Sequence, residues 1–340
     1  MPNHATTGLS VIVLAYGPEP QLADCVRAIL DSRDVALEVL LVDNGSEAVG
    51  TVPADSRVRV LSPGRNSGFA GGCNLAAEVA TFATLVFVNS DVVVQPDAIG
   101  FLTSRIDEDG VGLVTGAVLL PGPDQLVNSI GNPIHYLMFS WAGDYGERFS
   151  QHRAGEAIAG ISGAFFACRR EHWRALGGFD EEYFAYAEDA DISLRTWQMG
   201  KAVVFEPRAI GVHHYQFTKS NQKWFWLERN RLINLLTLYD ARSTLLLLPV
   251  ALPVEVGVLF FALRGGWARE KLESWRWLWR HRRYLRDRRR RVATSSTATT
   301  SWTSVLSGEM NIPREFGLGV PAPVSRILGR YWNVVKSHVH

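Results

Sequence analysis

Asp43 ends an apolar run in Leu41-Val42-Asp43-Asn44-Gly45-Ser46. A carboxylate there can accept from a ribose hydroxyl or a base N–H, or it can simply close the strand as an Asx turn. Asp91 follows Val88-Asn89-Ser90 and precedes a second apolar run, Val92 to Val94. Between two hydrophobic segments it suits a divalent cation, Mg2+ or Mn2+, that also binds phosphate oxygens; the competing reading is a turn carboxylate or helix cap. Tyr186-Ala187-Glu188-Asp189-Ala190-Asp191 holds three carboxylates in four residues, behind Phe179, Tyr183 and Phe184. A helix start favours anions, but a cap needs one acid and not three. A carboxylate against an aromatic wall can serve as a general base. His213 and His214 follow a predicted strand, and as a pair they are stronger ligand candidates than a lone histidine. The stretch Gly64-Arg65-Asn66-Ser67-Gly68-Phe69-Ala70-Gly71-Gly72 can cradle a nucleotide through backbone N–H groups. It is not a P-loop, because Gly-Lys-Ser/Thr is absent, and it does not open the first βα unit as G-x-G-x-x-G would.

The elements that must position these residues alternate. Strands are predicted at Leu9 to Ala15, Leu37 to Val42, Val58 to Leu61, Leu85 to Val88 and Val111 to Val118. Helices are predicted at Gln21 to Ser32, Asn74 to Ala80 and Asp97 to Ile106. This alternation implies an α/β fold with a mostly parallel sheet, whose ligands bind beyond the carboxyl ends of the strands. From about Leu119 to Gly160 the pattern fades into Gly- and Pro-rich loops with room for a short hairpin. A strand then follows at Gly163 to Arg169, a short helix at Glu171 to Leu176, a helix at Asp189 to Met199 and a strand at Ala202 to Phe205. The second helix has Asp191 and Arg195 as an i,i+4 pair. Phe225 to Tyr239 reads as a long amphipathic helix.

The 340 residues are 47% hydrophobic and 20% charged, which excludes disordered, collagen-like and disulfide-scaffold classes. Cys25, Cys73 and Cys168 are too few and too scattered for a disulfide framework or zinc cluster. The net charge of +1 hides an asymmetry: Arg264 to Arg291 contains 12 basic and three acidic residues, a net of +9, leaving −8 on the rest. Leu245 to Leu263 is apolar apart from Glu255 and contains Pro249 and Pro253. Its length makes it a membrane candidate. A single crossing would put the basic segment opposite a cytoplasmic body, against the positive-inside tendency, and two prolines favour a bend. The expectation is therefore a re-entrant or interfacial hairpin, with the Trp- and Arg-rich segment on the same anionic leaflet. Nucleic-acid binding is the rival for that segment. The adjacent apolar run favours membrane, so no nucleic-acid partner is expected. No signal peptide is recognisable, which places the body at the cytoplasmic face of the cell membrane, peripheral or monotopic. The expected divisions are 1–240 for a catalytic domain, 241–291 for the apolar hairpin and basic helix, and 292–340 for a tail opening with nine Ser/Thr in 13 residues.

In order and spacing, S-V-I-V-L-A-Y, L-L-V-D-N-G-S, N-S-G-F-A-G-G-C-N, V-F-V-N-S-D-V, G-G-F-D-E-E-Y-F-A-Y-A-E-D-A-D-I-S-L-R and V-H-H resemble glycosyltransferase family 2. Those are inverting enzymes of GT-A fold that use nucleotide sugars. The resemblance runs from about Leu9 to Ser220, and within the family it points to bacterial rhamnosyltransferases of cell-wall and surface-polysaccharide assembly. It implies that Ala15, Tyr16, Asp43, Asn66, Gly68, Asn89 and Ser90 meet the donor. Asp91 would be the metal-binding residue of the family's D-x-D motif, with His213 completing the site. Asp189 would be the catalytic base, with Glu188 beside it and either able to take the proton. Asn89 departs from the motif and leaves one carboxylate fewer. The implied partners are a nucleoside-diphosphate sugar, such as dTDP-rhamnose, and a glycan or polyprenyl-diphosphate-linked acceptor. Two other functions stay open: a membrane-docked nucleotide-sugar-binding protein without catalysis, and an Arg-rich nucleic-acid-binding protein. A sugar-1-phosphate nucleotidyltransferase needs a Gly-rich loop in the first βα turn, and Ala15-Tyr16-Gly17-Pro18 argues against it.

Overall fold

The computed structural model describes residues 8–150, 156–214, 221–296, 302–313 and 319–339. Tyr215 to Ser220 and the middle of the Ser/Thr-rich segment lie outside the described residues. The chain forms two compact units. The first comprises Met1–Asn132, Ala142–Thr196 and Lys201–Gln216; the second comprises Pro133–Trp141, Trp197–Gly200 and Phe217–His340. The expected boundary at 240 therefore falls inside the second unit, and two short segments from the middle of the chain belong to it as well.

The first unit is built on strands β1 (Leu9–Gly17), β2 (Leu37–Ser46), β3 (Val58–Leu61), β4 (Thr84–Asn89), β5 (Val92–Val94), β6 (Val111–Leu119), β7 (Val127–Ser129), β8 (Phe165–Arg169) and β9 (Ala202–His213). They form one sheet in the order β3-β2-β1-β4-β8-β6-β9-β5, with β7 paired to β6. The helices are α1 (Leu22–Leu30), α2 (Gly68–Val79), α3 (Ala98–Ile106), α4 (Arg170–Leu176) and α5 (Glu188–Gln198). Val11 to Ala15 of β1 is an unbroken apolar run because the strand is hydrogen-bonded between β2 and β4 in a sheet covered on both faces. On α1, Leu22, Cys25, Val26, Ile29 and Leu30 turn inward at helical spacing.

The sheet is mixed, not mostly parallel. Pairs β1–β2, β1–β4, β2–β3 and β6–β9 are parallel. Pairs β4–β8, β6–β8, β5–β9 and β6–β7 are antiparallel. The antiparallel members are strands without a helical crossover before them, which the βα alternation cannot reveal. β9 also runs eight residues past its predicted end. Its register against β6 jumps from Gly116↔Glu206 to Ala117↔Ile210, so Pro207, Arg208 and Ala209 bulge out and pairing resumes. The bulge brings the Ala209 carbonyl so close to Gly116 that a Cβ there would lie 2.4 Å from it. The extension is what carries His213.

The second unit contains α6 (Gln222–Thr237), α7 (Ala241–Gly265), α8 (Ala268–Arg280), α9 (Arg282–Ser295) and α10 (Ala322–Val335). The expected hairpin is not formed. α7 is a single 25-residue helix through both prolines, ended by Gly266 in the left-handed conformation. Pro249 and Pro253 are four residues apart on its exposed face. The helix continues past both, and the other face is held by packing. Ser243, Leu247, Ala251, Val258 and Ala262 are buried, while Leu245, Leu252, Val256, Phe260 and Leu263 are exposed.

Glu255, the one charge of the apolar run, turns inward. Its carboxylate accepts from Lys271 Nζ at 2.7 Å, from Trp275 Nε1 at 2.8 Å and from Arg231. Arg231 and Lys271 also pair with Glu228. Two carboxylates and two cations thus close a neutral network among α6, α7 and α8, and Lys271 is wholly buried in it.

Candidate active site

All the candidate site residues belong to the first unit. Across the carboxyl ends of three parallel strands, Ala15 of β1 pairs in register with Asp43 of β2, and Leu14 with Asn89 of β4. Asp43 Oδ1 accepts from the N–H groups of Gly45 and Ser46 at 3.1 and 3.0 Å, so it closes an Asx turn. That turn orients the carboxylate, and the exposed ring of Tyr16 stands beside it near Gly45.

The glycine-rich stretch does not form an open cradle. α2 begins at Gly68, and three N–H groups at its start are already taken. Ser67 N–H donates to Asn44 Oδ1, Gly68 N–H to Asn66 Oδ1 and Ala70 N–H to the Phe184 carbonyl. Asn44, which is buried, donates in turn to Asn66 and to the Gly68 carbonyl. Asn66 and Gly68 therefore tie β2 to α2. Gly68 has φ +73°, and a Cβ on it would lie 2.4 Å from the Phe184 oxygen. Only glycine lets the helix start touch the loop that leads to the acidic cluster. Phe184, Tyr186 and Ala187 in that loop also have positive φ, a local strain of the kind found where a side chain must be held at a site.

Asp91 lies just beyond the β4 end, and His213 is opposite Val92 in the β5–β9 ladder. His213 Nε2 is 3.0 Å from Asp91 Oδ1, and its Nδ1 is 2.9 Å from Asn128 Oδ1. Two neighbouring ligands about 2.1 Å from an octahedral cation sit about 3 Å apart, so this pair fits a shared divalent ion. No cluster of three or more His, Cys, Asp and Glu side chains suited to a metal occurs among the described residues. Such an ion would take two protein ligands here and fill its shell with phosphate oxygens and water. Ser90 is buried beside Glu19, a residue of the β1–α1 turn that the sequence pattern did not single out. Burial raises the Glu19 pKa, and Asp91 raises it further. Glu19 returns a second carboxylate to a neighbourhood where Asn89 replaces one.

Asp189 occupies the first turn of α5. Its Oδ2 accepts from Asn132 Nδ2 at 2.9 Å and its Oδ1 from the Ala190 N–H at 2.7 Å, with the Gly163 backbone as a third partner. Burial raises its pKa despite these donors, making it a better proton acceptor. Glu188 is buried more deeply; burial, then Asp189, pushes its pKa up to about 8. One of its oxygens is buried without a partner. Asp191 has a structural role: it pairs with Arg195 at 2.7 Å, and Arg195 holds the Leu176 and Gly178 carbonyls. The segment before β8 links the two halves of the site. Ala164 accepts from the Asn89 N–H at 2.9 Å while its neighbour Gly163 contacts Asp189. Asn44, Asn128 and Asn132 escaped the sequence reading because an asparagine in a turn looks like any other until its distant partner is known.

A mixed α/β sheet of this order, with carboxylates at the strand ends and at the start of the helix facing them, defines a glycosyltransferase of GT-A-like fold. Residues 10–177 match the family model described as glycosyl transferase family 2, so this stretch is a domain of that family. It is 28% identical over 235 residues to N-acetylglucosaminyl-diphospho-decaprenol L-rhamnosyltransferase of Mycobacterium tuberculosis, a match covering 62% of this chain and 76% of that protein. It is 28% identical over 229 residues to O-antigen biosynthesis protein RfbC of Myxococcus xanthus, covering 63% of this chain but 18% of that larger protein. Among solved structures it resembles GalNAc-T7 with UDP, GalNAc and Mn2+, at a TM-score of 0.52 and 16% identity, over 62% of this chain and 43% of that one.

Proposed function

We propose that the protein transfers a sugar, with inversion, from a nucleoside diphosphate to a hydroxyl of a glycan or polyprenyl-diphosphate-linked acceptor, and that dTDP-rhamnose is the donor. The observation that carries the chemistry is Asp189: a carboxylate with raised pKa, held by three donors at a helix start. Asp189 takes the proton from the acceptor hydroxyl as the oxygen attacks the anomeric carbon from the face opposite the diphosphate. Asp43, Ala15 and Tyr16 bind the nucleoside, and Asn89 and Ser90 border the diphosphate. Asp91 and His213 would hold Mg2+ or Mn2+, which when bound neutralises charge developing on the departing phosphates. Rhamnosyl transfer to a lipid-linked acceptor is supported by the mycobacterial relative's name.

The membrane reading is supported by the exposed apolar stripe of α7 and by the arginines of α8 and α9, with Trp279 exposed among them. Among the described residues α7 alone is long and apolar enough to cross a bilayer, yet Glu255 on its inner side is committed to the charged network. We therefore read it as lying in the plane of an anionic cytoplasmic leaflet.

The test is a panel of UDP-, dTDP- and GDP-sugars with Mn2+, with Mg2+ or with EDTA. Turnover of one donor is expected, abolished by EDTA and by Asp91→Ala. Asp189→Asn should cut turnover by about 10²–10⁴ while nucleotide binding persists. Undiminished turnover in that variant would remove Asp189 from the reaction. Nucleotide-sugar binding without turnover of any donor, acceptor supplied, would favour a binding protein.

A further inference from the structure

β7 is three residues long and lies in the segment where the sequence shows no pattern, yet two of its side chains reach opposite halves of the site. Asn128 and Ser129 are both at least nine-tenths buried. Asn128 Oδ1 lies 2.9 Å from His213 Nδ1. With that oxygen accepting the Nδ1 proton, a neutral ring presents its Nε2 lone pair on the side of Asp91, as a ligand must. Ser129 Oγ has two acceptors in reach, Asn132 Oδ1 at 3.0 Å and the Gly131 carbonyl at 3.2 Å, and Asn132 Nδ2 donates to Asp189 Oδ2. The amide of Asn132 is thus oriented from behind, with its oxygen on Ser129 and its nitrogen on the carboxylate.

The strand itself is clamped on both sides. It pairs with β6, and the Val127 backbone exchanges hydrogen bonds with Gly146 and Glu147. Asn132 is fixed further by its N–H to the Gly160 carbonyl at 2.8 Å. A buried amide aimed at a histidine beside one carboxylate, and a buried hydroxyl relayed to another, have ordinary apolar substitutes if packing is their only purpose.

We propose that β7 is a positioning strand for both ends of the reaction: Asn128 sets His213 toward Asp91, and Ser129 through Asn132 sets Asp189. This rests on the transfer reading given above. It makes the donor's phosphate end and the acceptor's proton end depend on adjacent residues of one short strand.

Two measurements separate the roles: calorimetric binding of dTDP and of UDP with Mn2+, and kcat with the donor that the panel selects. Asn128→Leu should weaken Mn2+-dependent nucleotide binding about 10- to 100-fold. Asn128→Asp, which keeps an oxygen acceptor, should recover most of that affinity. Asn132→Ala should lower kcat about tenfold or more, a part of what a general base supplies, with nucleotide affinity and donor KM within about twofold. Ser129→Ala, a milder change that leaves Asn132 in place, should lower kcat in the same sense and supplies the test if Asn132→Ala does not fold. The proposal is overturned if the two effects are not separable, if either variant is unchanged in its own readout, or if Asn128→Asp is no better than Asn128→Leu. A wild-type chain with no Mn2+-dependent nucleotide binding and no turnover would instead defeat the transfer reading, and this inference with it.

Discussion

Glu188 carries a cost that pH can expose. Its pKa rises from an ordinary carboxylate value to about 8 in the folded chain, chiefly through burial. A raised folded pKa means that its contribution to stability is fully present below the unfolded pKa and is lost as pH climbs through about 8. Glu188→Gln keeps the shape and removes the titration. The wild type should therefore lose stability relative to this variant between about pH 4.5 and 8, read from urea unfolding midpoints across that range. Parallel curves would show that Glu188 is not held neutral. At this scale the sequence was informative about carboxylates and silent about their keepers. Asp43, Asp91 and Asp189 stood out because an acid beside an apolar run needs a reason. Asn132 and Asn128 did not, because their partners lie 57 and 85 residues away.

The α6–α7–α8 network offers a test for the elements. Lys271 is wholly buried between Glu228 and Glu255. Lys271→Met removes one cation and leaves the carboxylates short of a partner, a change that typically costs about 3–5 kcal/mol. We expect a fall of that order in the stability of the second unit, followed by α-helical circular dichroism in denaturant. A loss under 1 kcal/mol would mean that the network relaxes around Arg231. The same network holds α7 as one helix where the sequence suggests a hairpin. Two prolines in an apolar run look like a bend, and the sequence cannot show that Glu255, 24 residues from Arg231 and 16 from Lys271, anchors one continuous helix. β9 was cut short for a related reason: Pro207 signals a strand end, whereas the structure absorbs it in a bulge. Helix α1 and strands β1 to β4 were legible because their partners are local or periodic.

At the scale of the molecule, the exposed stripe of α7 and the cationic α8 and α9 predict binding to vesicles. The full chain should float with phosphatidylglycerol-containing vesicles, and increasing salt should weaken but not abolish this, since screening acts on the arginines and not on apolar contact. Val256→Glu, at a position 67% exposed, should lower the bound fraction several-fold without changing the unfolding midpoint. Equal flotation of that variant would exclude α7 as the contact. The α/β class was legible at this scale from the alternation of elements; the interleaving of the two units was not. Tyr136, in the segment Pro133–Trp141, stacks on Trp332 at 4.8 Å and donates to the Leu328 carbonyl. A ribosome adding about 5–20 residues per second needs roughly 10–40 s to travel from the tyrosine to its tryptophan. For that interval Tyr136 emerges without the helix that will cover it, so the nascent chain presents an uncovered aromatic to chaperones long before its last helix exists.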